Sequence, residues 1–367
     1  MKSLYIHIPF CKKKCFYCSF VVTVGQEKRI KEYLQCLKKE AEAYREEIVQ
    51  TVYIGGGTPA LLGLEDLQDL TTIIENNFKF APSLEMTIEA NPEGLTIEKA
   101  KLLKALGFNR VSLGVQSLND WYLKYLGRCH NRQKAIAAFD ILRAAGHANI
   151  NLDLMYSFPR QTQDDITKDI NAITGLGSEH LSVYALTIEP HSRFFVQKVK
   201  LPDEQNQAEQ YQFVVDGLTD HGFIQYEISN FSKKRKESLH NLNYWLGGDY
   251  IGLGVGAHSH CAGVRFWNTA KFSEYMARIK ETGQAVDGRE ELSVQTQLME
   301  RILFGLRMNQ GADLNQIQAV LKTSLSLEKE AIIEDLIKEE FLLRSGERLQ
   351  ATAKGRLLLD DICAKLI

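Results

Sequence analysis

Apolar, β-rich runs alternate with amphipathic helical stretches through the first half of the chain, and this alternation restricts the possible folds more than any other feature. The runs lie at about 2–8, 51–54, 84–90, 109–115, 149–156 and 180–187, with helical patterns at about 27–49, 64–78, 96–106, 119–125, 131–146 and 162–176. Repeated strand-then-helix units of this length imply an α/β fold, a parallel sheet with covering helices and right-handed crossovers. Six units, over residues 1–190, can curl into an open barrel. Ligands in such folds sit at the C-terminal ends of the strands.

Residues 191–288 have a mixed pattern expected to complete the core. Residues 289–367 read as helices, a short hairpin around Gly346-Glu347 and a last helix, a winged-helix-like module. That arrangement often binds DNA, but Glu339, Glu340, Asp360 and Asp361 stand there without a basic stripe. A packing or partner-binding domain is therefore expected, and no nucleic-acid partner.

With 44% hydrophobic residues, 25% charged residues and a net charge of −2, the 367-residue chain has the make-up of an ordinary globular protein. No apolar stretch reaches the roughly 18 residues of a membrane span. Met1-Lys2-Ser3 runs directly into a strand, so no signal peptide and a cytoplasmic location are expected. Seven cysteines without pairing logic suit a reducing compartment. Of these, Cys36, Cys129, Cys261 and Cys363 are scattered and read as small packed residues.

The other three cysteines do form a pattern. Cys11, Cys15 and Cys18 follow the first strand in Cys11-Lys12-Lys13-Lys14-Cys15-Phe16-Tyr17-Cys18, which sets them at the ligand-binding rim. Three thiolates on one loop can hold a [4Fe–4S] cluster and leave one iron open to a non-protein ligand. The alternatives are structural cysteines or zinc. Zinc would need a fourth ligand; His7, inside the strand-like run, is the local candidate and reads better as a packed histidine.

Gly55-Gly56-Gly57-Thr58-Pro59 follows the second strand. Its backbone, free of Cβ atoms, can approach a ligand and hydrogen-bond it directly. Glu89, Gln116 and Asp153 interrupt the third, fourth and fifth apolar strands near the same rim. A buried charge or amide is costly without a partner, so three on successive strands point to one polar-lined ligand site. Arg128 could add a planar fork for a carboxylate.

The cysteine spacing, with Tyr17 just before the third cysteine, resembles that of the radical S-adenosylmethionine (SAM) superfamily. Tyr5-Ile6-His7-Ile8-Pro9-Phe10-Cys11, the glycine turn, Arg110–Ser117 and Leu126-Gly127-Arg128-Cys129-His130 narrow the resemblance to the coproporphyrinogen-oxidase-like branch, over essentially the whole chain. The resemblance implies an open (β/α)6 partial barrel, a cluster on Cys11, Cys15 and Cys18, and SAM chelated by the open iron. By it, Tyr5, Gly56 and Glu89 would contact that SAM. Tyr17, Gly57, Thr58, Gln116, Arg128 and Asp153 match positions around a second SAM in the oxidase, and Ala185 matches a cofactor-lining position.

Two activities compete within that branch. The oxygen-independent oxidase, which decarboxylates coproporphyrinogen III, has an N-terminal extension and a further cysteine two residues after the third. Here the chain starts shortly before Cys11, and position 20 is Phe20. His240-Asn241-Leu242-Asn243-Tyr244-Trp245 matches an HNxxYW motif of HemW-type heme chaperones. The resemblance therefore favours a chaperone that binds heme and delivers it to an acceptor protein, a membrane respiratory enzyme being one candidate, with the oxidase as the alternative.

An imidazole is an ordinary axial ligand for heme iron, and Tyr244 with Trp245 offers flat apolar surface. His240 is accordingly expected to have a heme-related role, with His258 and His260 behind it. The alternative for His240 is a histidine bonded to backbone beside a core tryptophan. Ser157-Phe158-Pro159-Arg160 stands where the family has Gly-Leu-Pro-Gly, so a different backbone is expected there. Gly252-Leu253-Gly254-Val255-Gly256-Ala257 matches a dinucleotide fingerprint out of context and reads as a ligand-lining or packing turn.

Overall fold

The computed structural model describes residues 2–366. Its body is one twelve-stranded sheet that curls without closing. Six strands follow the chain in spatial order: β1 (Lys2–Ile8), β2 (Glu47–Gly56), β3 (Phe78–Ala90), β4 (Arg110–Gln116), β5 (Ile150–Tyr156) and β6 (His180–Ala185). Each lies parallel to the one before, as the alternating pattern requires. β2 and β3 start earlier than their apolar runs suggested, because Glu47–Val49 pairs with Phe78–Phe80 ahead of a register shift.

β7 (Ile224–Glu227) and β8 (Asn230–Ser232) extend the β6 edge in antiparallel fashion. At the opposite edge β9 (Tyr250–Leu253) lies parallel to β1, an arrangement the sequence pattern did not suggest. The antiparallel strands β10 (His258–Cys261), β11 (Val264–Asn268) and β12 (Val286–Glu291) follow it.

Parallel strands covered on both faces are usually apolar throughout. Here only the outward face is. Leu4, Ile6, Val52, Ile54, Val111 and Leu152 are buried in the main core. The residues between them face the opposite way, into the barrel, and are polar. They bond across the strands: Thr51 donates to Ser3 Oγ at 2.7 Å, Tyr53 to Glu89 at 2.8 Å, and Asn151 to Ser112 and Asp153, both at 2.7 Å. The alternation in each strand thus separates a greasy outer shell from a hydrogen-bonded interior.

Ser157 and Arg160 both take positive φ, 63° and 64°. Both are held in a left-handed conformation that glycine favours, at roughly 1–2 kcal/mol of strain per residue. At Gly254, with φ +102°, a Cβ would lie 2.5 Å from the Tyr33 hydroxyl and 2.7 Å from the His7 carbonyl, so this glycine-rich stretch is a packing turn.

Toward the C-terminus, helices Val294–Arg307, Leu314–Leu321 and Leu327–Lys338 and the hairpin of Leu342–Ser345 with Arg348–Ala351 share a second core, around Leu298, Ile302, Ile333, Leu336, Leu349 and Ile362. This is the winged-helix-like arrangement read from the sequence. It meets the rest of the protein at the helix Leu239–Trp245, where Phe304 and Arg307 pack on Trp245 at 6.3 and 4.9 Å.

Candidate functional site

The cysteine loop leaves the C-terminal end of β1 and is clasped from two sides. Phe16 N–H donates to Leu126 O at 3.0 Å, and Phe194 N–H donates to Phe16 O at 2.9 Å. Beside the loop is a cavity of about 140 Å³ lined by Cys11, Cys15, Tyr17, Cys18, Gly56, Gly57, Thr58, Glu89, Gln116, Arg128 and Asp153. The expected site residues converge there, with three exceptions: Tyr5, Ala185 and His240. Among the described residues no three His, Cys, Asp or Glu side chains draw together as around a single metal ion; the thiols are instead distributed along the cavity wall.

Two of the thiols are joined by a polar chain. Cys11 Sγ lies 3.5 Å from Thr58 Oγ1, which accepts from Asn91 Nδ2 at 2.9 Å. Arg128 Nη2 donates to Asn91 Oδ1 at 2.6 Å and to Gly114 O at 2.7 Å, while its Nη1 reaches Cys15 Sγ at 3.5 Å. Because Thr58 accepts from Asn91, its own hydroxyl proton is available to the Cys11 sulfur. Burial pushes the Cys11 thiol up to about 11, with Thr58 and Arg128 pulling the other way. Asn91, which holds this chain together, was not among the residues expected from the sequence.

The glycine turn serves packing as much as approach. Gly56 has φ +112°, and a Cβ there would stand 2.5 Å from the His7 ring; one on Gly57 would stand 2.7 Å from Phe10 O. Gly57 N–H and Thr58 N–H donate to Ile8 O and Phe10 O at 2.8 and 2.9 Å, and Gly56 N–H donates to Glu89 Oε2 at 3.1 Å. The backbone donors expected to meet a ligand are therefore engaged within the protein. What the turn can offer a ligand is carbonyl and hydroxyl oxygen.

Glu89 and Asp153 form the polar floor. Burial pushes Glu89 up to about 7, against hydrogen bonds from Tyr53 and Gly56, and Asp153 up to about 6, against its bonds from Asn151 and Ser112. Arg110 lies one pleat below Ser112 on β4, 1% exposed, and its Nε has no partner; its charge also restrains both carboxyls. A carboxyl whose pKa is raised on folding stabilises the folded state below the ordinary carboxylate range, and that contribution is lost as pH rises through the folded value. The ligand-free protein should thus lose about 1–3 kcal/mol of stability across the rise to neutral pH. Urea unfolding between acid and mildly alkaline pH checks this, and Glu89→Gln should flatten the slope; an unchanged slope would assign it to other groups.

Tyr5 acts from one step away. Its hydroxyl donates to His7 Nδ1 at 3.0 Å, because His7 Nε2 must carry the ring proton to donate to Val21 O at 2.7 Å. Both His7 nitrogens are used, which removes it as a fourth metal ligand. Ala185 ends β6 and packs against the main core.

His240 is where the structure departs furthest from expectation. It is 1% exposed and stacks on Tyr53 at 5.1 Å. Thr51 donates to Ser3, so it accepts from His240 Nδ1–H at 2.8 Å; His240 Nε2 then accepts from the Tyr244 hydroxyl at 3.0 Å. Burial drops the imidazole to about 3. A ring with both nitrogens engaged has none for iron, and His240 plugs the barrel at the N-terminal end of β1 and β2 instead. His240→Ala should cost about 2–4 kcal/mol in urea unfolding, since Thr51 and Tyr244 lose their partner. A loss well under 1 kcal/mol would contradict the plug.

An open α/β barrel with a three-cysteine loop over its mouth is the architecture of a radical SAM protein. Residues 5–173 match the family model described as the radical SAM superfamily, and residues 292–358 that of the HemN C-terminal domain. The chain is 37% identical to a Bacillus subtilis protein named heme chaperone HemW, over 99% of this chain and 98% of that one. It is 34% identical to the Lactococcus lactis protein of the same name, over 98% of each. Among solved structures, the Escherichia coli coproporphyrinogen III oxidase HemN, described as a radical SAM enzyme, aligns with a TM-score of 0.87 at 26% identity, covering 99% of this chain and 89% of that one. The chain belongs to the radical SAM superfamily and, within its coproporphyrinogen-oxidase-like branch, to the family of the proteins named heme chaperone HemW.

Proposed function

We propose that Cys11, Cys15 and Cys18 hold a [4Fe–4S] cluster, that SAM occupies the adjoining cavity, and that the chain carries heme to an acceptor protein. The residues suit these groups. Arg128 sets a permanent positive charge 3.5 Å from Cys15 Sγ, and its buried Nε has no partner, leaving a donor for a carboxylate. When bound, the cluster supplies an electron able to cleave a C–S bond of SAM. The ammonium of SAM is a donor, so it suits the acceptors gathered at Gly56, Gly57, Thr58 and Glu89. Tyr17, Gln116 and Asp153 line the remaining wall, Tyr5 sets the His7 ring behind Gly56, and Ala185 adds an apolar edge. Residues 1–190 and 191–288 form the cofactor-bearing body, and 289–367 a module for the acceptor.

The observation that carries the heme reading is the end-to-end similarity to relatives named heme chaperone HemW. Phe20, 66% exposed, stands where the oxidase has its further cysteine, which speaks against the decarboxylase alternative. Titrating the purified chain with heme under absorbance should saturate at about one heme per chain. The absence of saturable binding would remove the chaperone reading.

A further inference from the structure

We propose that heme docks on the rim beside the cysteine loop, with His191 as the axial ligand to iron and Arg193 and Lys13 meeting its propionates. This rests on the heme-carrying reading above and names the site for it. Heme is a flat apolar macrocycle with two carboxylates on one edge and an iron that takes an imidazole. A surface suited to it combines an accessible histidine, exposed aromatic and aliphatic area, and unpaired cations.

The segment after β6 supplies the first of these. Ser192 Oγ donates to Glu189 O at 2.7 Å and accepts from Phe195 N–H at 3.1 Å. That turn holds His191 at φ 65° with its side chain exposed. Four other histidines, His7, His130, His180 and His240, have both ring nitrogens engaged. The ring of His191 joins no hydrogen bond or ion pair among the described residues.

The apolar surface lies in the same segment and in the helix Asp120–Leu126 packed beside it. Phe195 is 53%, Val196 76% and Trp121 58% exposed, and large apolar groups grouped in this way mark an interaction site. Trp121 stacks on Tyr125 at 5.4 Å, Tyr125 meets Phe194 at 5.0 Å, and Phe194 meets Phe16 of the cysteine loop at 6.2 Å. The cations stand at the end of this aromatic row. The Arg193 guanidinium sits 4.0 Å and the Lys13 ammonium 5.3 Å from the Phe16 ring centre, and neither has a carboxylate partner among the described residues.

His258 is also exposed and stacks on Trp267 at 5.7 Å. The cation beside it, Arg265, is already held by Glu300 and Glu290. Of these two exposed histidines, His191 is the one whose surroundings combine apolar area with cations that have no carboxylate partner among the described residues.

The test is an absorbance titration of the full chain, cluster loaded, with ferric heme. His191→Ala should shift the Soret band and weaken binding at least roughly tenfold, and Arg193→Glu should weaken it by about three- to tenfold without moving the band. His258→Ala should match wild type. Both His191 and Arg193 are exposed, so unchanged melting curves will show that the variants are folded. Wild-type spectrum and affinity in both His191→Ala and Arg193→Glu, or loss of the band in His258→Ala, would overturn the site while leaving heme carriage intact. A wild-type chain that binds no heme would overturn both.

Discussion

Cys15→Ala should emerge from anaerobic reconstitution with almost no bound iron or sulfide. Two local thiolates rarely hold four irons; Cys36, Cys261 and Cys363 do not line the cavity, and Cys129, expected to be a packed residue, does line it and is exposed. Cys36 is buried against the Met276 carbonyl, Cys261 lies on β10, Cys363 in the last helix, and Cys129 is exposed on the loop after Arg128. Replacing any of these four should leave iron content near wild type, whereas Cys11→Ala and Cys18→Ala should behave as Cys15→Ala does. Iron and acid-labile sulfide assays with the absorbance near the visible edge of the cluster spectrum decide it. Full iron content in Cys15→Ala would remove the cluster assignment.

Arg128→Ala should keep its iron and lose SAM. The side chain makes three contacts, to Asn91, Gly114 and Cys15, within the chain that joins two of the thiols. Hydrogen bonds from a charged donor are worth about 1.5–3 kcal/mol each, so losing the one to SAM implies about a ten- to hundredfold weaker complex by calorimetry. Arg128→Lys should recover little, because a single ammonium cannot reach Asn91, Gly114 and a ligand in the geometry of a planar fork. Asn91→Ala should fall between wild type and Arg128→Ala. Wild-type affinity in Arg128→Ala would show that this side chain only supports the loop.

The barrel was legible because its helices and strands alternate with clear periods, and the site because Cys11, Cys15, Cys18, Glu89, Gln116 and Asp153 are chemically out of place in apolar strand ends and loops. Asn91 was not legible: beside Pro92 it reads as an ordinary turn residue, and its role depends on Thr58 and Arg128 arriving from distant segments. The polar interior was partly written in the sequence, since Ser3, Tyr5 and His7 alternate with Leu4, Ile6 and Ile8, but those strands read as simply apolar. β9 escaped because its pairing with β1 spans most of the chain. His240 misled for a related reason. Its motif reads as exposed and ligand-like, yet burial against Thr51 and Tyr53 is a tertiary fact that no local pattern carries.

The central claim is a radical SAM fold used to carry heme rather than to decarboxylate a porphyrinogen. Reconstituted protein should be incubated anaerobically with SAM, a strong reductant and coproporphyrinogen III, and the products followed by chromatography with released carbon dioxide. The account predicts recovered coproporphyrinogen and no protoporphyrinogen from a preparation that still binds about one heme per chain. Steady conversion to protoporphyrinogen with release of carbon dioxide would contradict it and make the protein an oxidase.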